Sequence, residues 1–187
     1  MLAQKKERIV MGIDPGTAIM GYGVILERGN KLELLSLGVV KMAHIDDHFL
    51  KLQRIFEKTT LLLEEYKPDV LAIEAPFYGK NIQVMLKLGR AQGIAMAAAL
   101  ARNIPVSEYA PRKIKQSITG KGTASKEQVA AMLQQLLNFN EVPEFLDATD
   151  GLAVAVCHSF QKINPGIKAK SYTGWEAYVA DNKKRVR

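Results

Sequence analysis

Three apolar runs follow one another near the N-terminus with almost no chain between them, and no other feature restricts the fold as much. Residues 8–14, 20–28 and 32–42 each read as a strand, joined by short connections. A parallel pair needs a crossover of about a dozen residues or more, so these runs pair as an antiparallel meander. Gly29-Asn30 is a tight-turn pair that makes the second and third runs a hairpin.

The chain then changes to strand–helix alternation. Asp46 or Asp47 caps a helix that runs to about Tyr66, with Phe49, Leu52, Ile55, Phe56, Leu62 and Leu63 in helical period and Pro68 beyond its end. VLAIEAP (70–76) holds a short strand that ends in Glu74 and is broken by Pro76. Residues 82–102 form a second helix and PVSEYA (105–110) a fifth strand. A short basic helix follows Pro111, then a glycine-containing loop, TGKGTA (119–124). Ser125 with Gln128 is a capping-box signature for a further helix. Pro143 opens the last helix, which carries Asp147 and Asp150 and runs to about Gln161. Pro165-Gly166 marks a boundary, so the expected division is one α/β domain over 1–164 and a basic tail over 165–187. A meander followed by strand–helix alternation predicts a mixed sheet covered by helices, with right-handed crossovers.

A chain of 187 residues that is 48% hydrophobic can build one sizeable core. The net charge of +7 suits a polyanionic partner, nucleic acid or an anionic membrane surface. The single cysteine, Cys157, cannot form an internal disulfide and reads as a small buried hydrophobe in a reducing compartment. MLAQKKERIV lacks the apolar core of a signal peptide, and the apolar run 93–101 is far shorter than the ~20 residues that span a bilayer. The expectation is a cytoplasmic protein with no membrane segment.

The first strand ends in Asp14, followed at once by Pro15, Gly16 and Thr17. A carboxylate at the end of a buried strand costs free energy unless something compensates it. If the first and fourth strands are parallel neighbours, Asp14 and Glu74 emerge at one sheet edge, the usual place for sites in open α/β sheets. Asp147 and Asp150 are three apart on a helix and share a face, which need only lean over the same edge. Four acids in one poorly solvated cleft require a counter-charge, and an all-oxygen donor set favours Mg²⁺ or Mn²⁺. Two such ions about 3.5–4 Å apart serve in-line displacement at a phosphodiester. Three of the acids also have a simpler reading, Asp14 as a turn cap and Asp147 and Asp150 as a solvated first turn favoured by the helix dipole, whereas Glu74 at a buried strand end is harder to dismiss.

Taken together, the motifs are recognisable. IVMGIDPGTAIMGYGVI, LAIEAPFYGKN, SEYAPRKIKQSITGKGTASKEQV and LDATDGLAVAVCH, in that order over about residues 8–160, resemble the four motif regions of the RuvC family of Holliday-junction resolvases. The resemblance implies an RNase H-like fold, a five-stranded mixed sheet of order 3-2-1-4-5 flanked by helices. It implies that Asp14, Glu74, Asp147 and Asp150 bind two Mg²⁺ ions per subunit. It also implies hydrolysis by a metal-activated water with a 3′-oxygen leaving group, a homodimer acting on four-way junction DNA, and association with the RuvA–RuvB branch-migration machinery.

Other residues fill out the expected site. Lys115 and Lys126 match basic positions of the family and suit contacts to the scissile phosphate, while Arg112, Lys113 and Lys121 suit the DNA backbone. Phe77 matches the family's base-stacking aromatic; Tyr78, Lys80 and Asn81 lie beside it in the same loop. Gly89, Gly93, Ala97 and Ala101 recur every four residues, a smooth stripe for close helix approach and the candidate dimer interface. The alternative is that this helix is fully buried within one chain. His44 and His48 have no third nitrogen or sulfur ligand nearby, and His158 lies about two turns beyond Asp150. In the tail, Trp175, Tyr178 and Val179 suit docking, partner binding or disorder. The expected activity is a Mg²⁺-dependent structure-selective endonuclease that makes paired symmetric nicks. The competing readings are a junction-binding protein without nuclease activity, an actin-like phosphotransferase using D-P-G-T for phosphate, and, within the same fold, a YqgF-like RNA nuclease.

Overall fold

The computed structural model describes residues 7–76, 81–139 and 146–163. The N-terminal meander is β1 (Glu7–Asp14), β2 (Ile19–Arg28) and β3 (Lys31–Lys41). Gly29 takes φ 64° at the hairpin turn, the left-handed conformation that a tight turn demands and glycine adopts without strain. There follow α1 (His48–Tyr66), β4 (Val70–Glu74), α2 (Ile82–Leu100) and β5 (Val106–Tyr109). The chain ends in α3 (Pro111–Thr119), α4 (Lys126–Leu137) and α5 (Asp147–Ile163). The sheet order is β3-β2-β1-β4-β5, as the resemblance implied. β1 pairs antiparallel with β2 and parallel with β4, and β4 pairs parallel with β5.

Local chemistry accounts for the element ends. Asp47, rather than Asp46, caps α1, its carboxylate accepting from the Leu50 amide at 2.8 Å. Ser125 and Gln128 form the expected reciprocal capping box of α4. β4 stops at Glu74, as expected, with Pro76, which has no amide to donate, just beyond it. α5 begins at Asp147; Pro143 and the tail from 165 on lie outside the described residues.

Two apolar layers sandwich the sheet. On one face α1 and α2 cover Met11, Ile13, Leu71 and Ile73 with Ile55, Leu63, Ala95 and Ala98. On the other, α3, α4 and α5 cover Val10, Ile25, Val70 and Ala72 with Ile114, Leu133, Leu152 and Val156. Cys157 is fully buried in this second layer. Among the described residues no helix is long and apolar enough to cross a membrane.

Candidate active site

β1 and β4 are in register, Ile13 opposite Ile73, so the next residues, Asp14 and Glu74, leave the sheet side by side. What brings the third acidic element to them is glycine. A β-carbon on Gly21 would stand 1.9 Å from the Asp147 carbonyl oxygen, one on Gly12 2.2 Å from that of Gly151, and one on Gly23 2.4 Å from the Leu152 Cα. α5 therefore lies against the backbone of β1 and β2 with no side chain between them. Only that approach lets Asp147 and Asp150, on its first turn, reach the edge where β1 and β4 end.

The acids open onto a cavity of about 240 Å³ lined by Asp14, Glu74, Asp150, Lys115, Lys126, Pro111, Ile114, Val129 and Ala153. Its apolar floor explains its electrostatics. Burial, then the charges of Asp150 and Asp147, push Asp14 up to about 6, against the pull of Lys126. Burial, then Asp14 and Asp150, push Glu74 up to about 8, with Lys126 and Lys115 opposing. Burial also raises Asp150, despite its hydrogen bond from Lys126. The two lysines are held differently. Lys115 Nζ donates to the Ala124 carbonyl at 2.8 Å. Lys126 Nζ donates to Asp147 Oδ1 at 3.2 Å and also pairs with Asp150 Oδ2. Burial lowers the Lys126 pKa, but its bonds and charge pairing with both aspartates raise it further, so the net shift is upward. Among the described residues, no three Asp, Glu, His or Cys side chains converge tightly enough to hold a metal ion as they stand. Asp147 and Asp150 are turned toward the ammonium instead.

The sequence profile of the crossover junction endodeoxyribonuclease RuvC family matches residues 10–158, from β1 into α5. The chain belongs to the RuvC family. It is 56% identical to the RuvC of Cytophaga hutchinsonii over 97% of this chain and 89% of that one. It is 54% identical to the RuvC of Bacteroides fragilis over the full length of both. Its fold is similar to that of Thermus thermophilus RuvC solved in complex with a Holliday junction substrate, with a TM-score of 0.77 and 33% identity over 83% of this chain and 94% of that one.

Set against the RuvC motifs, the structure gathers Asp14, Glu74, Asp150, Lys115 and Lys126 around one cavity, with Asp147 at its margin, tied in through Lys126. Arg112 and Lys113 are exposed on α3, and Lys121 on the turn after it. Asn81 caps α2, its Oδ1 accepting from the Val84 amide at 3.2 Å. Phe77, Tyr78 and Lys80 lie outside the described residues. Gly93, Ala97 and Ala101 are exposed, and a β-carbon on Gly89 or Gly93 would meet nothing within 4 Å. The stripe thus faces away from the sheet, and the fully buried alternative for α2 does not hold. His158 is not near the acids; it is bonded to Arg8 at 2.8 Å and to the Tyr109 hydroxyl at 2.8 Å.

Sequence reasoning missed the glycines that seat α5. It also missed Gln92, a buried amide on α2 that donates to the Glu74 carbonyl at 3.2 Å and fixes where the chain leaves β4. A signal for the glycines was present: Gly21 and Gly23 sit two apart in a strand, hence on one face, and Gly151 interrupts a helix.

Proposed function

We propose that this chain resolves four-way DNA junctions by hydrolysing one phosphodiester in each of two strands of like polarity. The observation that carries the reading is the convergence of carboxylates from β1, β4 and α5 on one cleft with two lysines. RuvC-family nucleases are metal-dependent. The residues fit a hard divalent cation: the donors are all carboxylate oxygens, and burial, then the neighbouring carboxylates, makes Asp14 and Glu74 hold their protons more readily than usual, a cost that a bound cation would remove. In this reading Asp14, Glu74, Asp147 and Asp150 hold two Mg²⁺ ions, with Mn²⁺ as substitute. Bound there, the ions lower the pKa of water and offset charge on the phosphoryl oxygens.

The chain's own residues do the rest. Ile114, Val129 and Ala153 keep bulk water from the floor of the cleft and strengthen every charge interaction above it. Lys115, oriented by the Ala124 carbonyl, offers its remaining protons to a non-bridging phosphate oxygen. Arg112, Lys113 and Lys121 follow the backbone away from the cleft. Phe77 and Tyr78 stack on unpaired bases at the junction centre, flanked by Lys80 and Asn81. A twofold homodimer through α2 presents two equivalent sites to a substrate that is itself nearly twofold symmetric. The family resemblance extends the reading to the RuvA–RuvB machinery, and Cys157, buried and reduced, suits the cytoplasm. A phosphotransferase reading has no observation in its favour.

A synthetic mobile four-way junction and a matching linear duplex test the proposal, each with Mg²⁺ and with EDTA. Paired symmetric nicks are expected on the junction alone, lost in EDTA. Asp14→Asn should lower the rate by about a thousandfold or more, since it removes several kcal/mol of transition-state stabilisation. Tight junction binding with no cleavage under any divalent ion would favour a binding protein instead.

A further inference from the structure

We propose that Lys126 is a tethered counter-cation, which occupies the positive position between Asp147 and Asp150 and leaves it when a divalent ion takes those carboxylates. The inference rests on the reading of the four acids as a divalent-cation site. Three observations point to it. First, one ammonium spans both aspartates of α5, at 3.2 Å from Asp147 Oδ1 and in direct contact with Asp150 Oδ2. Second, Lys126 lines the same cavity as Asp14, Glu74 and Asp150. The ammonium therefore stands beside the space onto which Asp14 and Glu74 also open, and its charge acts on both of them. Third, the cleft's other lysine behaves differently, with Lys115 tied to a main-chain carbonyl rather than to an acid.

The anchoring of Lys126 suits this role. It is the first residue of α4, directly after the Ser125 cap, so its backbone is fixed by the capping box. Its side chain is a flexible four-carbon stem, and 49% of it is exposed, so it can withdraw into water without disturbing the fold. While in place it cancels charge that would otherwise drive the two aspartates apart. A divalent ion at the same oxygens repels the ammonium, which then lies free at the rim of the cleft, where a phosphate would meet it. The one lysine therefore serves two successive anions, the aspartates and then the substrate.

The test uses the full-length protein without DNA and Mn²⁺ as the probe, with free ion counted by electron paramagnetic resonance. Lys126→Gln should bind Mn²⁺ at least about fivefold more tightly than the unaltered protein, since the competing ion pairs are gone. Lys115→Gln removes one charge from the same cleft and should change affinity by no more than about twofold, the long-range effect alone. Lys126→Gln should also melt lower than the unaltered protein in EDTA, and the gap should close in saturating Mn²⁺. Equal tightening by both variants, or weaker binding by Lys126→Gln, would overturn displacement. Mn²⁺ binding unaffected by Asp14→Asn and Asp150→Asn would instead overturn the reading of the acids as the cation site.

Discussion

Glu74 and Asp14 are carboxyl groups placed where their ionised forms are costly, and that cost has a measurable sign. Glu74 binds its proton more tightly folded than unfolded, with its pKa pushed from an ordinary 4.5 to about 8 by burial and by Asp14 and Asp150. Its contribution to stability is therefore fullest at low pH and is lost as pH rises through about 8. Asp14 acts the same way over a lower window, from 3.8 to about 6. His158 acts oppositely: burial and the neighbouring Arg8 lower it to about 4, so its contribution is present above 6.5 and is lost as pH falls toward 4. Between about pH 6.5 and 8.5 only Glu74 should dominate. Circular-dichroism melts in EDTA should show the protein losing thermal stability as pH rises across that window. Glu74→Gln should melt higher at pH 8 and flatten the slope; an unchanged slope would mean that Glu74 does not hold its proton as described.

At the scale of elements, the site depends on how closely α5 lies on β1 and β2. Gly21→Ala puts a methyl 1.9 Å from the Asp147 carbonyl oxygen, a backbone atom, with no flexible side chain to yield. Overpacking of this kind costs about 1–3 kcal/mol, and α5 must shift outward to relieve it. The expected result is a lower melting temperature together with loss of metal-dependent cleavage, even though no acid has been changed; a fully active Gly21→Ala would show that the acids tolerate displacement of α5. By contrast, Gly93→Ala fills open space and should leave both properties unchanged. Much of this architecture was legible beforehand, for physical reasons. Period-two and period-3.6 patterns, Gly29-Asn30 and the Ser125 box are local, and local chemistry set β1 to β5 and α1 to α4 within about two residues. The acids at strand ends and on one helix face implied a common edge. The seating of α5 was not legible, because a glycine in a strand has several uses and its partner here lies more than a hundred residues away. Nor was the orientation of Lys126, since a lysine one residue after a cap can reach a phosphate or an acid equally well.

At the scale of the molecule, the described residues leave an apolar face exposed on α2. Ile82, Leu86 and Leu100 of α2 are 69%, 52% and 56% exposed, and on a helix of 3.6 residues per turn they fall on the same line as Gly89, Gly93 and Ala97. Large side chains at the ends and small ones in the middle give a ridge and a groove, the profile that lets two copies of a helix cross at close range. Phe49 and Phe56, seven apart on the adjoining α1, extend the face at 73% and 41% exposed. Large apolar side chains exposed together along one helix mark an interaction surface. If the partner is a second copy, Gly93→Glu should convert a dimer to a monomer in sedimentation equilibrium at unchanged helical content, since the glutamate would project into the groove and not into its own chain. The site acids lie at the sheet edge and α2 packs on the opposite face from α5, so metal binding should survive the substitution. Junction cleavage should change in kind rather than vanish uniformly: single nicks would replace paired ones, because one subunit carries one cleft and only a symmetric pair can reach two strands of the same polarity together. Paired nicks from a protein shown to be monomeric would move the interface off α2.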